Sequence, residues 1–175
     1  MIFNVTACGK SKLTRYEAEF LNVFDTVTQI KGYAENKEEF SKYAQLVHDS
    51  LKEYHELYDI YNDYDGINNM KTINDNAGIK PVKVDKRIID LLEFGKINVA
   101  FGAVLSVWHD YREEGTNDPE NAKLPPLKVL QDKAGHTDIN QMVIDEDNST
   151  VYLKDPEMSL DVGAIAKGYA TEQVA

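Results

Sequence analysis

Apolar positions recur at two spacings along the chain, and those spacings predict most of its elements. Asn36-Lys37-Glu38-Glu39 is an asparagine followed three residues later by glutamate, the pattern of a helix start. Beyond it Phe40, Tyr43, Ala44, Val47, Leu51, Tyr54 and Tyr58 fall on one helical face, which predicts a helix from about Lys37 to Leu57. Phe20–Tyr33 instead alternates, with β-branched Thr26, Val27, Thr28 and Ile30 at its centre, and predicts a strand. Pro81-Val82-Lys83-Val84 is a short strand or extended lead-in. Asp85 then caps a helix through Ile88, Ile89, Leu92 and Phe94 that stops at Gly95.

Gly95–Trp108 is apolar enough to be a buried turn and helix, with Trp108 as a core anchor. His109–Gly115 is a polar exit, and Gly115–Pro126, which holds three of the five prolines, is a surface loop. Pro126 and Gly135 bracket a helix over Leu127–Ala134. Ile139–Ile144 and Thr150–Leu153 alternate on either side of an acidic tip and predict a hairpin. Met158-Ser159-Leu160 reads as a strand feeding Asp161, which caps a closing helix. No glycine, asparagine or proline closes Thr171–Ala175, so the expectation is a truncated chain whose partner segment is missing.

Composition narrows the function. A chain of 175 residues, 42% hydrophobic and 28% charged, can form one domain with a real core. Its 19 basic against 30 acidic residues leave a net charge of −11, which argues against nucleic acid and against electrostatic docking on anionic lipid. An anionic cofactor therefore needs local help from lysines, helix N-termini or a metal. The single cysteine excludes an internal disulfide and a multi-cysteine metal site. No apolar run approaches the ~18 residues of a spanning helix. Val5-Thr6-Ala7-Cys8 resembles a bacterial lipoprotein cleavage box, which makes Cys8 the candidate for lipidation and residues 1–19 a signal remnant and tether ahead of a domain over 20–175. The competing reading is a chance cysteine near a terminus.

The candidate chemistry lies where the last helix begins. Asp161 precedes Gly163, Ala164, Ala166 and Gly168, residues that let a backbone or flat ligand come close, and Lys167 follows about two turns on. Free N–H groups with a nearby lysine suit a phosphate or diphosphate. The alternative is a small-residue helix packed tightly on a sheet. A P-loop is excluded, because lysine would have to follow the second glycine. The other clusters carry less. Asp63-Tyr64-Asp65-Gly66 lacks the carboxylates of a calcium loop at its first and last positions. His48 and His55 read as partly exposed surface histidines. His109 and Asp110 are adjacent and point apart, so they make no dyad. The acidic run Asp145–Asn148 reads as a solvated turn.

Asp161-Val-Gly-Ala-Ile-Ala-Lys-Gly-Tyr-Ala170 resembles the D-[LV]-[GS]-x-[IV]-[AG]-[KE]-G-Y-A signature of the FAD:protein FMN transferases, the ApbE family. Gly95–Trp108 is similar to the family's second signature, matching at Gly95, Gly102 and Trp108 and departing at Lys96, Asn98, Ala100 and Ala103. The resemblance implies an α+β, T-fold-like domain of antiparallel sheet and packed helices. It implies FAD contacts at Asp161 and Lys167, at Gly95, Lys96 and Ile97, at Phe24-Asp25-Thr26, and beside Ile60 and Tyr61. It implies a Mg²⁺ ion that takes the backbone carbonyl of Ala164. The reaction it implies moves FMN from FAD to a Ser or Thr of a partner protein and releases AMP. The implied partner is a membrane redox-complex subunit, and the implied location is extracytoplasmic and lipid-anchored.

The family's catalytic histidine and further metal ligands fall beyond position 175, so no catalytic residue is assigned within these residues. Alone, the stretch is expected to be inactive and to bind FAD weakly. Two alternatives remain open, a Mg²⁺-dependent FAD pyrophosphatase and a non-catalytic flavin-binding lipoprotein.

Overall fold

The computed structural model describes residues 12–95 and 97–175. It contains two units, residues 12–52 with 174–175 and residues 53–173. Among the described residues no helix is long and apolar enough to cross a membrane.

In the first unit, strands β1 (Thr14–Val23) and β2 (Thr26–Ala34) form an antiparallel hairpin. The sequence pattern had suggested one strand over Phe20–Tyr33. Instead Phe24 and Asp25 make the turn, both at positive φ (54° and 49°), without the Gly or Asn that normally marks such a turn. Residues 14–19, expected in a tether, lie in β1. Cys8 and the rest of that stretch before Lys12 lie outside the described residues.

Tyr16, Ala18 and Phe20 share the inner face of β1. Pairing then passes from Phe20↔Thr28 to Val23↔Thr26, so Leu21 and Asn22 oppose Val27 alone. This bulge resets the alternation and turns Val23 fully inward. Helix α1 (Lys37–Tyr58) follows, and the division between units falls within it. Asn36 Oδ1 accepts from the Glu39 amide at 2.9 Å, and Glu39 reaches back to the Glu35 amide at 2.8 Å. Phe40 stacks on Tyr16 at 5.5 Å, over Gly32, the cross-strand partner of Tyr16. His48 is partly exposed, and its ring is held in place. Its ring lies 4.4 Å from that of Phe20 and bonds Asn22 and Asp49 at 3.1 and 3.0 Å.

The second unit is built on a three-stranded antiparallel sheet in the order β3 (Val82–Lys83), β5 (Thr150–Leu153), β4 (Met142–Asp145). Central β5 sends Val151 and Leu153 into the core. The β4–β5 hairpin has the expected acidic tip, where Asp145 accepts from the amide and side chain of Asn148. Helix α2 (Met70–Asp75) starts at fully buried Asn69, whose side chain caps Thr72 and donates to the carbonyls of Glu56 and Asn62.

Helix α3 (Lys86–Glu93) begins at the Asp85 cap, buries Ile88, Ile89, Leu91 and Leu92, and ends before Gly95 at φ 57°. Each such fully buried aliphatic side chain contributes about 1.5–3 kcal/mol relative to exposure. Helix α4 (Gly102–Asn117) is longer than the pattern indicated, because the polar residues after Trp108 continue it on its solvent side. Trp108 is 43% exposed and is not a core anchor. Helix α5 (Leu127–Ala134) lies between Pro126 and Gly135 as expected.

Before Asp161 there is no strand, since regular pairing ends at Leu153. Helix α6 (Ala166–Val174) starts after a turn over residues 163–165.

Candidate functional site

Asp161 sits where three chain segments meet. Its amide donates to the Val99 carbonyl at 2.8 Å. The residue before it, Leu160, is held by the Asn74 side chain from α2. The Leu160 amide donates to Asn74 Oδ1 at 2.7 Å, and Asn74 Nδ2 donates to the Leu160 carbonyl at 3.0 Å. A side-chain amide thus takes the place of a neighbouring strand. Gly102, at the start of α4, backs the same segment so closely that an added Cβ would lie 2.5 Å from the Ser159 carbonyl oxygen. The Gly102 match to the signature therefore has a packing cause.

Asp161 Oδ1 accepts from the Gly163 amide at 2.8 Å, closing a turn rather than capping α6 directly. Oδ2 lies 3.4 Å from His109 Nε2 on α4. The Asp161 side chain is only 9% exposed, yet it forms part of a cleft of about 220 Å³. The remaining walls are one face of α4 (Gly102, Ser106, His109 and Asp110), with Ile60, Tyr61, Asn74 and Ser159. The Tyr61 ring meets that of His109 edge-on at 5.8 Å and is 54% exposed.

Asp59 fixes the loop that carries Tyr61. This nearly buried carboxylate accepts from the Tyr61 amide at 2.7 Å, from the amide and side chain of Asn62, and from the Tyr64 hydroxyl at 2.7 Å. Burial alone would push its carboxyl up. The hydrogen bonds from Asn62, Tyr61 and Tyr64 outweigh it and hold the group below the usual carboxylate range.

The cleft therefore brings together Ile60, Tyr61 and Asp161 from the set the sequence singled out. Gly95 and Ile97 are not in its walls. Gly95 ends α3, and Ile97 is half exposed. Lys96 lies outside the described residues. Phe24, Asp25 and Thr26 belong to the hairpin of the first unit. Ala164 is exposed in the turn after Asp161, and half-buried Lys167 is the second residue of α6. Sequence reasoning missed His109, whose partner is Asp161 and not its neighbour Asp110. The pairing spans 52 residues, and no local pattern signals it.

The carboxylates of Asp110 and Asp161 in these walls suit hydrogen-bond donors such as ribose hydroxyls or an amino group. A diphosphate fits less well among Asp110 and Asp161 than beside Lys167. Mg²⁺ takes about six oxygen ligands. No group of three or more His, Cys, Asp or Glu side chains able to hold a metal occurs among the described residues. Ala164 offers one carbonyl and Asp161 one carboxylate, too few for the ion, and each Asp161 oxygen already has one partner, Gly163 and His109. These residues do not by themselves fit a magnesium site, and no step is derived through the ion.

This mixed helix and antiparallel-sheet architecture is the fold of flavin-transferase structures. The ApbE protein of Thermotoga maritima superposes with a TM-score of 0.70 at 22% identity, over 93% of this chain and 52% of that one. The flavin transferase ApbE of Vibrio cholerae gives 0.70 at 15% identity, over the same shares. The family model described as ApbE family matches residues 24–175, and the chain belongs to that family. The FAD:protein FMN transferase of Klebsiella pneumoniae is 31% identical over 111 residues, 58% of this chain and 33% of that protein. The chain thus spans about half the length of these solved structures and a third of that curated relative.

Proposed function

We propose that the protein acts in FAD:protein FMN transfer and that the cleft at Asp161 receives part of the FAD. The observation that carries this is the meeting of Ile60, Tyr61 and Asp161, residues the family resemblance assigns to FAD, in one cleft. At about 220 Å³ the cleft is smaller than the ~300–1,000 Å³ of a typical ligand pocket, so it takes one portion of a dinucleotide. Asp161 accepts from a hydroxyl or amino donor of the nucleotide, and Tyr61 lies beside it in the cleft wall. The diphosphate runs toward Lys167 on α6. Transfer of FMN to a Ser or Thr hydroxyl forms a phosphoester, breaks the diphosphate bond and releases AMP. A membrane redox subunit as acceptor, a Mg²⁺ requirement, a lipid anchor at Cys8 and an extracytoplasmic location belong to the same proposal.

The test is a fluorescence titration of the 175-residue chain with FAD. Weak, saturable binding is expected, and Asp161→Ala is expected to weaken it at least about tenfold, the effect of losing a hydrogen bond to a charged group. Equal affinity in the two proteins would overturn the reading. With Mg²⁺ and a Ser/Thr peptide, these 175 residues alone are expected to produce no covalent flavin. FMN and AMP released without covalent flavin would favour a pyrophosphatase instead.

A further inference from the structure

We propose that His109 is a positioning residue for the Asp161 carboxylate, fixed in one tautomer by Arg112; this rests on the flavin reading of the cleft. Arg112 Nη2 lies 3.0 Å from His109 Nδ1. A guanidinium is only a donor, so Nδ1 is the acceptor and the ring proton of the neutral imidazole sits on Nε2. That proton faces Asp161 Oδ2 at 3.4 Å.

The ring plane is constrained as well. Tyr61 packs on it at 5.8 Å and 85°, and the backbone of α4 carries both His109 and Arg112 on one face, three residues apart. Asp161 is thus held from two sides, by the Gly163 amide on Oδ1 and by His109 on Oδ2. Each donor takes one site per oxygen. The carboxylate's remaining lone pairs stay available in a fixed direction to a donor entering the cleft. Holding an acceptor in place beforehand removes the ordering cost from binding. A carboxylate with a freely rotating terminus would bear that cost at each binding event.

The experiment compares the wild-type 175-residue chain with His109→Gln, His109→Leu and Arg112→Met. Two readouts are used, ¹⁵N shifts of the histidine ring with the Gly163 amide shift in the free protein, and FAD titration. The wild type is expected to show the Nε2–H tautomer, and Arg112→Met a mixture of tautomers. His109→Leu is expected to move the Gly163 amide and weaken FAD binding about tenfold. Glutamine can present an N–H near the place of Nε2, so His109→Gln is expected to recover most of that affinity.

An Nδ1–H tautomer in the wild type would overturn the proposal. So would a Gly163 amide unmoved in a folded His109→Leu chain, or Gln and Leu variants binding FAD alike. If the wild type fails to bind FAD, the flavin reading falls, while the tautomer and the Gly163 shift still decide whether His109 holds Asp161.

Discussion

At Gly102 the backbone of α4 touches the backbone of Ser159 and Leu160. An added Cβ would lie 2.5, 2.7 and 2.9 Å from backbone atoms there, none of which can swing aside. Gly102→Ala is therefore expected to cost about 1–3 kcal/mol, the usual range for forcing atoms into a packed interior. For a chain of this size that lowers the melting temperature by about 2–4 °C per kcal/mol, read by thermal circular dichroism.

Asp59 yields a pH prediction. Its folded pKa is depressed, so its contribution to stability is fully present above the unfolded carboxylate value of about 4. It is lost as pH falls through the lower folded value. Asp59→Asn is expected to be less stable than wild type at neutral pH, with the gap in urea midpoint narrowing as pH drops below about 4. A gap that stays constant from pH 6 to pH 3 would show that the charge of Asp59 contributes nothing.

Helices with their own punctuation were legible in the sequence. Asn36 and Glu39 mark the start of α1, Asp85 marks that of α3, and Pro126 and Gly135 bracket α5, each through groups within a few residues of the helix end. The β1–β2 hairpin was not legible, because Phe24 and Asp25 adopt positive φ without a turn residue to announce it. The extent of α4 was missed for another reason. Its last turns are polar on every side, and apolar spacing says nothing there. The cleft was half legible. Motif positions supplied Asp161, Ile60 and Tyr61, and loosely Asn74, while His109 enters through a contact between distant segments.

Helix α6 holds a further test. Among the described residues nothing beyond the neighbouring backbone of α6 lies within 4 Å of an added Cβ at Gly168, so the packing of these residues does not require glycine there. Glycine inside a helix costs about 0.5–1 kcal/mol relative to alanine. Gly168→Ala is accordingly expected to raise stability by that amount in chemical denaturation. A loss of stability would mean that α6 packs more closely than its surroundings indicate.

Across the whole molecule, identities of 15% and 22% accompany a TM-score of 0.70, so the family fold survives the replacement of most side chains. What has to persist is the pattern of burial and a few close backbone approaches, such as the one at Gly102. Asn74 illustrates a long-range requirement of the same kind. Its paired hydrogen bonds to Leu160 join residues 86 apart in sequence. Closing a loop of that length costs about 4 kcal/mol of chain entropy, whereas two hydrogen bonds return about 1–3 kcal/mol. The clamp thus cannot form ahead of the surrounding core and closes late on the folding pathway. Asn74→Ala is expected to speed unfolding and leave the folding rate almost unchanged in stopped-flow chevrons. A polypeptide emerging from the ribosome would then hold its sheet and helices before it holds its cleft, and a nucleotide present at that moment would meet a finished scaffold with an unfinished door.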